Sequence, residues 1–142
     1  MDNQSFTLDS RLKNDTVKLA SWPLSDVLLM NDSQYPWVIL VPRRAGVSEI
    51  YQLSGDDQQQ LLQESIFLGQ QLMALYEGDK LNVAALGNVV NQLHVHHVVR
   101  FESDVAWPAP VWGKHPVVAY SETALDTQLK RLNGLTTKRW EV

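Results

Sequence analysis

A chain of 142 residues, 44% hydrophobic and 20% charged, can bury one core but is too short for two full domains. Its formal charge of -4 excludes a general grip on DNA or RNA, which needs many cations facing the phosphates. The absence of cysteine excludes disulfides, thiolate metal sites and cysteine nucleophiles, so a nucleophile has to be His, Ser, Thr, Lys, Tyr or a carboxylate.

Residues 1–15 are polar apart from Phe6, Leu8 and Leu12, a pattern compatible with a short helix or an irregular arm. No stretch approaches the roughly 20 apolar residues that span a bilayer. The opening Met1-Asp2-Asn3-Gln4-Ser5 is not a charged segment followed by an apolar one. The expected location is therefore the cytoplasm, with no membrane partner.

Val17–Ala20, Asp26–Met30 and Trp37–Val41 are rich in Val, Leu and Ile, and turn-forming segments separate them. They read as three consecutive strands of an antiparallel meander. Ser54, with Asp57 three residues on, predicts a helix start, because a hydroxyl and a carboxylate can satisfy the free amides of a first turn. From Asp56 to Glu77 the apolar residues Leu62, Ile66, Phe67, Met73 and Tyr76 recur at helical steps, and Gly78 is placed to end the helix in a left-handed cap.

Leu81–Leu86 and Leu93–Phe101 read as two further strands. Beyond them Trp107-Pro108, Pro110, Trp112-Gly113 and His115-Pro116 break the chain into a loop. Ser121 caps a last helix that carries Leu125, Leu129 and Leu132 on one face, with Gly134 just past its end. A run of strands with one long helix inserted predicts an α+β fold: an antiparallel sheet of about five strands, one long helix and a C-terminal helix. A single domain over residues 1–142 is expected, with its core in about 16–112 and a closing loop and helix in 113–142.

Three of the four histidines fall in Gln92-Leu93-His94-Val95-His96-His97-Val98-Val99-Arg100, a segment otherwise made of β-formers. On a strand, Gln92, His94 and His96 share one face, and His97 lies on the other, where a structural or interface role is expected. Imidazoles at i and i+2 discourage each other's protonation, which suits a neutral ring attacking phosphorus. The glycine turn at Gly87 offers backbone donors to an anion. Two histidines could also begin a zinc site, but no further ligand pair accompanies them, so neither metal nor cofactor is expected.

Gly87-Asn88-Val89-Val90-Asn91-Gln92-Leu93-His94-Val95-His96 resembles the signature of the histidine triad (HIT) family, in which a glycine-containing loop leads into His-x-His-x-His on a strand. The resemblance runs over about Thr16 to Trp112 and implies the HIT-like fold. It implies that His94 is the nucleophile and that His96 assists phosphate binding and departure of the leaving group. The phosphate is then met by Gly87, Asn88 and Val89, and the ribose by Asn31 or Asp32. Gln92 stands where the family has its first histidine and keeps hydrogen-bonding capacity without a titratable ring.

The activity so implied is hydrolysis or transfer on a nucleoside phosphoramidate, nucleotidyl ester or dinucleoside polyphosphate through a nucleotidyl-histidine, by a homodimer. The rival readings are a nucleotide-binding or regulatory module with little turnover, and a metal-dependent hydrolase that uses His94 and His96 as ligands. Arg43, Arg44, Arg100 and Lys114 are either phosphate contacts or solvated cations, and Trp107 and Trp112 either stack on a base or anchor their loop.

Overall fold

The computed structural model describes residues 5–137. Three strands, β1 (Thr16–Ser21), β2 (Ser25–Met30) and β3 (Trp37–Pro42), form the expected meander behind a short helix α1 (Ser10–Asp15). The long helix α2 (Gly55–Tyr76) follows, then β4 (Lys80–Ala84), β5 (Val95–Arg100) and α3 (Glu122–Thr137). All pairings are antiparallel, and the five strands lie in the order β1-β2-β3-β5-β4. The fold is therefore α+β, and β5 is inserted between the meander and the edge strand β4.

Alternation along the strands divides the apolar residues between the two faces of the sheet. Val27, Leu29, Val38, Leu40, Val95 and Val99 pack with Leu61, Leu68 and Leu72 of α2 and Leu132 of α3. Leu28, Trp37, Ile39 and Val98 pack on the other face with Leu12, Ala106 and Val111, so the loop after β5 covers that side.

Ser54 caps α2 by accepting from the Asp57 amide at 3.2 Å. The Asp57 carboxylate does not complete a capping box; it forms a two-pronged pair with Arg44, at 2.7 and 3.0 Å. The buried stripe of α2 is Leu61, Glu64, Leu68, Gly69 and Leu72, whereas Leu62 and Ile66 are exposed. The apolar repeat thus contains two stripes, and only contact with the sheet selects between them.

Two glycine expectations are corrected. Glu77, not Gly78, takes the left-handed cap, with φ 52°. Gly78 is instead a point of close approach, because a Cβ there would sit 2.3 Å from Val99 Cγ1. Gly134 does not end α3, which continues to Thr137. Ser121 does cap α3, accepting from the Ala124 amide at 3.1 Å.

β5 begins at Val95, two residues later than the β-formers suggest. The Leu93 amide leaves the ladder to donate to the Val47 carbonyl at 3.0 Å, which holds Gln92–His94 against the segment before α2.

Candidate functional site

Alternation on β5 and the two residues before it places His94 and His96 on the face away from α2. Their ring centroids are 4.8 Å apart. Both residues are buried in the sense of exposure, yet both line a cavity of about 300 Å³ with Leu86, Gly87, Asn88, Val89 and Trp112. Gly87 turns the chain into this cavity with φ +67°, a conformation that a side chain strains. The amides of Gly87, Asn88 and Val89 find no acceptor among the described residues. The loop therefore presents unspent donors beside two imidazoles.

The hydrogen bonds decide where the ring protons sit. His94 Nδ1 lies 2.7 Å from the Gln92 carbonyl oxygen, which can only accept, so Nδ1 carries the proton and the lone pair of the neutral ring is on Nε2. His96 is the reverse. Its Nδ1 lies 3.0 Å from Trp37 Nε1, which can only donate, so the lone pair is on Nδ1 and the proton on Nε2. The cavity thus combines a lone pair at His94 with an N–H at His96.

Burial, then the neighbouring His94 and His97, push the His96 pKa down to about 3. His97 faces α2, where its Nδ1 donates to the Val95 carbonyl and its Nε2 accepts from Ser65 Oγ at 2.7 Å. It has the structural duty expected of that face, and burial lowers its pKa to about 4.

Both rings stay neutral in the folded chain at a pH where the unfolded chain, with pKa near 6.5, takes up protons. The stability they contribute is therefore present above about pH 6.5 and is lost as pH falls toward 4 and then 3. At about pH 5 the loss is expected to be on the order of 2 kcal/mol per ring. Thermal unfolding midpoints measured between neutral pH and that point should fall accordingly, and a flat profile contradicts the burial argument.

Three expected binding residues are given other duties. Gln92 Oε1 accepts from the Asp9 amide and its Nε2 donates to the Thr7 carbonyl, both at 2.9 Å, so the side chain fastens the N-terminal arm. Asn31 Oδ1 accepts from the Tyr120 amide at 2.9 Å, and Asp32 Oδ1 is turned onto Gln34, at 3.1 and 3.0 Å. Ile39 is paired with both His96 and Leu28, so Leu28, not Asn31, is level with the histidines. Asn31 instead lines a separate cavity of about 260 Å³ with Met30 and Val117.

The three candidate arginines are also committed. Arg43 holds Asp26 and the carbonyls of Trp22 and Pro23, and Arg44 holds Asp57. Arg100 is neither solvated nor a phosphate contact: it is buried against Asp104, Asn82 and the Ala109 carbonyl. Lys114 is exposed. Of the two tryptophans, Trp107 packs on the Arg100 guanidinium, and Trp112 lies edge-on to His96 with centroids 5.2 Å apart.

Trp37 is the site residue that sequence reasoning missed, because it read only as a β-former in a strand. The available signal was its indole N–H, a group that normally finds a partner when buried. Among the described residues no group of three or more His, Asp or Glu could hold a metal, and no helix is long and apolar enough to cross a membrane.

Comparison with known proteins adds the family. Residues 11–103 match the family model described as the HIT domain. A histidine triad protein from Marinobacter aquaeolei VT8 is 54% identical over 92% of this chain and 96% of its own, with a TM-score of 0.91. Histidine triad proteins from Bradyrhizobium japonicum and Sinorhizobium meliloti 1021 are 43% and 39% identical, each over 92% of this chain and 98% and 97% of their own, with TM-scores of 0.89. No curated protein matches the chain.

Proposed function

Since the chain belongs to the histidine triad family, we propose that it is a hydrolase or transferase that moves a phosphoryl or nucleotidyl group through a covalent bond to His94 Nε2. The observation that carries this reading is the Nδ1–H···O=C bond from His94 to Gln92, which leaves the Nε2 lone pair at a cavity edged by free amides. In the first step Nε2 bonds to phosphorus while the bond to the leaving group breaks. The positive charge that develops on the ring is shared with the Gln92 carbonyl through Nδ1–H. The Gly87, Asn88 and Val89 amides and His96 Nε2–H donate to the phosphate oxygens, where charge builds up. Water or an acceptor alcohol then attacks phosphorus, the P–N bond breaks, and the incoming oxygen loses its proton to solvent.

The metal-dependent alternative is disfavoured by the same hydrogen bonds. A ligand needs a lone pair facing the ion, and Trp37 keeps that of His96 on Nδ1. A binding module without turnover differs from the enzyme in one respect: it forms no phosphohistidine. Brief incubation with diadenosine polyphosphate, an alkaline quench and mass spectrometry should find the nucleotidyl group on His94. Tight binding with neither adduct nor product would overturn the enzymatic reading.

The homodimer implied by the family resemblance belongs to the same proposal. Leu62 of α2 and Val83 of the edge strand β4 are exposed around a mainly apolar groove of about 340 Å³ beside Ile50, an area that a second copy would cover. Light scattering should give twice the chain mass, and Leu62→Glu should reduce it to one.

A further inference from the structure

We propose that Trp37 is a positioning residue that confines the reaction to substrates whose leaving group departs as a stable anion, such as a phosphoanhydride or an activated phosphate ester, and excludes amine leaving groups. This rests on His94 being the nucleophile. The argument starts from the one polar atom of the Trp37 side chain. Its Nε1–H donates to His96 Nδ1 at 3.0 Å, and indole has no lone pair to offer in exchange. Protonation of His96 at Nδ1 would set two N–H groups against each other inside the sheet face, so the ring is held as the neutral Nε2–H tautomer.

A neutral imidazole donates a hydrogen bond but does not surrender its proton at neutral pH. Its Nδ1 cannot relay a replacement either, because the indole N–H of Trp37 is far too weak an acid to give up its proton. An amine leaving from phosphorus must take a proton as the P–N bond breaks. A phosphate or an activated oxygen leaves with the electron pair alone and needs only the Nε2–H hydrogen bond.

Among the described residues no acidic side chain stands against the His96 ring; Glu49 lines an adjoining cleft with His94, Leu86 and Gly87, which His96 does not line. Against the His96 ring stand Trp37 from β3, His94 from the segment before β5 and Trp112 from the loop. Across the strands its backbone partners are Ile39 and Ala84. His97, next in the chain, faces α2. Among the described residues that line the cavity, the one ionisable side chain besides His96 is His94, which is consumed as the nucleophile.

Two measurements test this. Nitrogen-15 NMR of the wild-type protein should show His96 protonated at Nε2 and bare at Nδ1 throughout the range from about pH 5 to 8, where an ordinary imidazole titrates. A protonated Nδ1 at His96 overturns the proposal whether or not the protein has activity. The second is turnover of two adenylate derivatives, the p-nitrophenyl ester and the alkylamine phosphoramidate. The ester should react at least about 100-fold faster, the lower bound for a missing general acid. Trp37→His, whose ring can both give and accept a proton, should narrow that gap at least tenfold. Equal rates for the two substrates in the wild type would overturn the leaving-group restriction. Absence of any adduct at His94 with either substrate would instead overturn the nucleophile assignment on which it rests.

Discussion

Replacing His94 with alanine is expected to lower turnover by at least about 10⁴-fold while the fold and ligand affinity persist. The size follows from the role. Alanine removes the atom that bonds to phosphorus, and no second nucleophile is in place, because the Nε2 of His96 carries a proton. The substitution removes a side chain that lines a cavity, so the lost packing is modest and the far face of the sheet, with α2, is untouched. Steady-state turnover beside the unfolding midpoint of the same sample separates chemistry from stability. A variant that retains a tenth of the activity would place the covalent step elsewhere.

Replacing Arg100 with methionine is expected to produce a large loss of stability, about 3 kcal/mol or more. The guanidinium and the Asp104 carboxylate are 2% and 4% exposed, and they meet at 2.9 and 3.0 Å. Arg100 also donates to Asn82 on β4 and to the Ala109 carbonyl, and it lies under the Tyr35 and Trp107 rings. Methionine matches much of the volume but leaves Asp104 a buried anion. The amides of Phe101, Ala106 and Trp107 that also donate to Asp104 offset only part of this. Adding Asp104→Asn should recover some of the loss, since removing both charges costs less than stranding one. Denaturant unfolding of the two single variants and the double variant gives the coupling directly, and additive effects would refute a paired role. Whatever folded Arg100→Met protein remains should show a raised KM, because the same knot holds the loop that brings Trp112 to His96.

The two apolar stripes of α2, one buried and one exposed, and the duties of Gln92 illustrate how far the linear order of residues reaches. Strands, helix N-caps and the histidine segment were legible because their signals are local: β-branched runs, a hydroxyl ahead of a helix, and side chains that alternate with period two. That alternation sufficed to put His94 with His96 and to send His97 the other way. The family resemblance extended this to the HIT-like fold and to the expectation of a phosphate cradle at Gly87. None of these inferences needs a partner distant in the chain.

What remained hidden depends on partners far apart in sequence. Gln92 meets residues more than 80 positions away, and Trp37 meets His96 across 59. Arg100 reads as a surface cation until Asp104, Asn82 and Ala109 surround it. By itself the amino-acid order determined the α+β class, the N-caps of α2 and α3, and which imidazoles share a face, since each follows from backbone geometry over a few residues. Only the tertiary structure decided the face that α2 buries, the protons of His94 and His96, and the burial of Arg100, because a side chain's hydrogen-bond partner is set by the packing of separate elements.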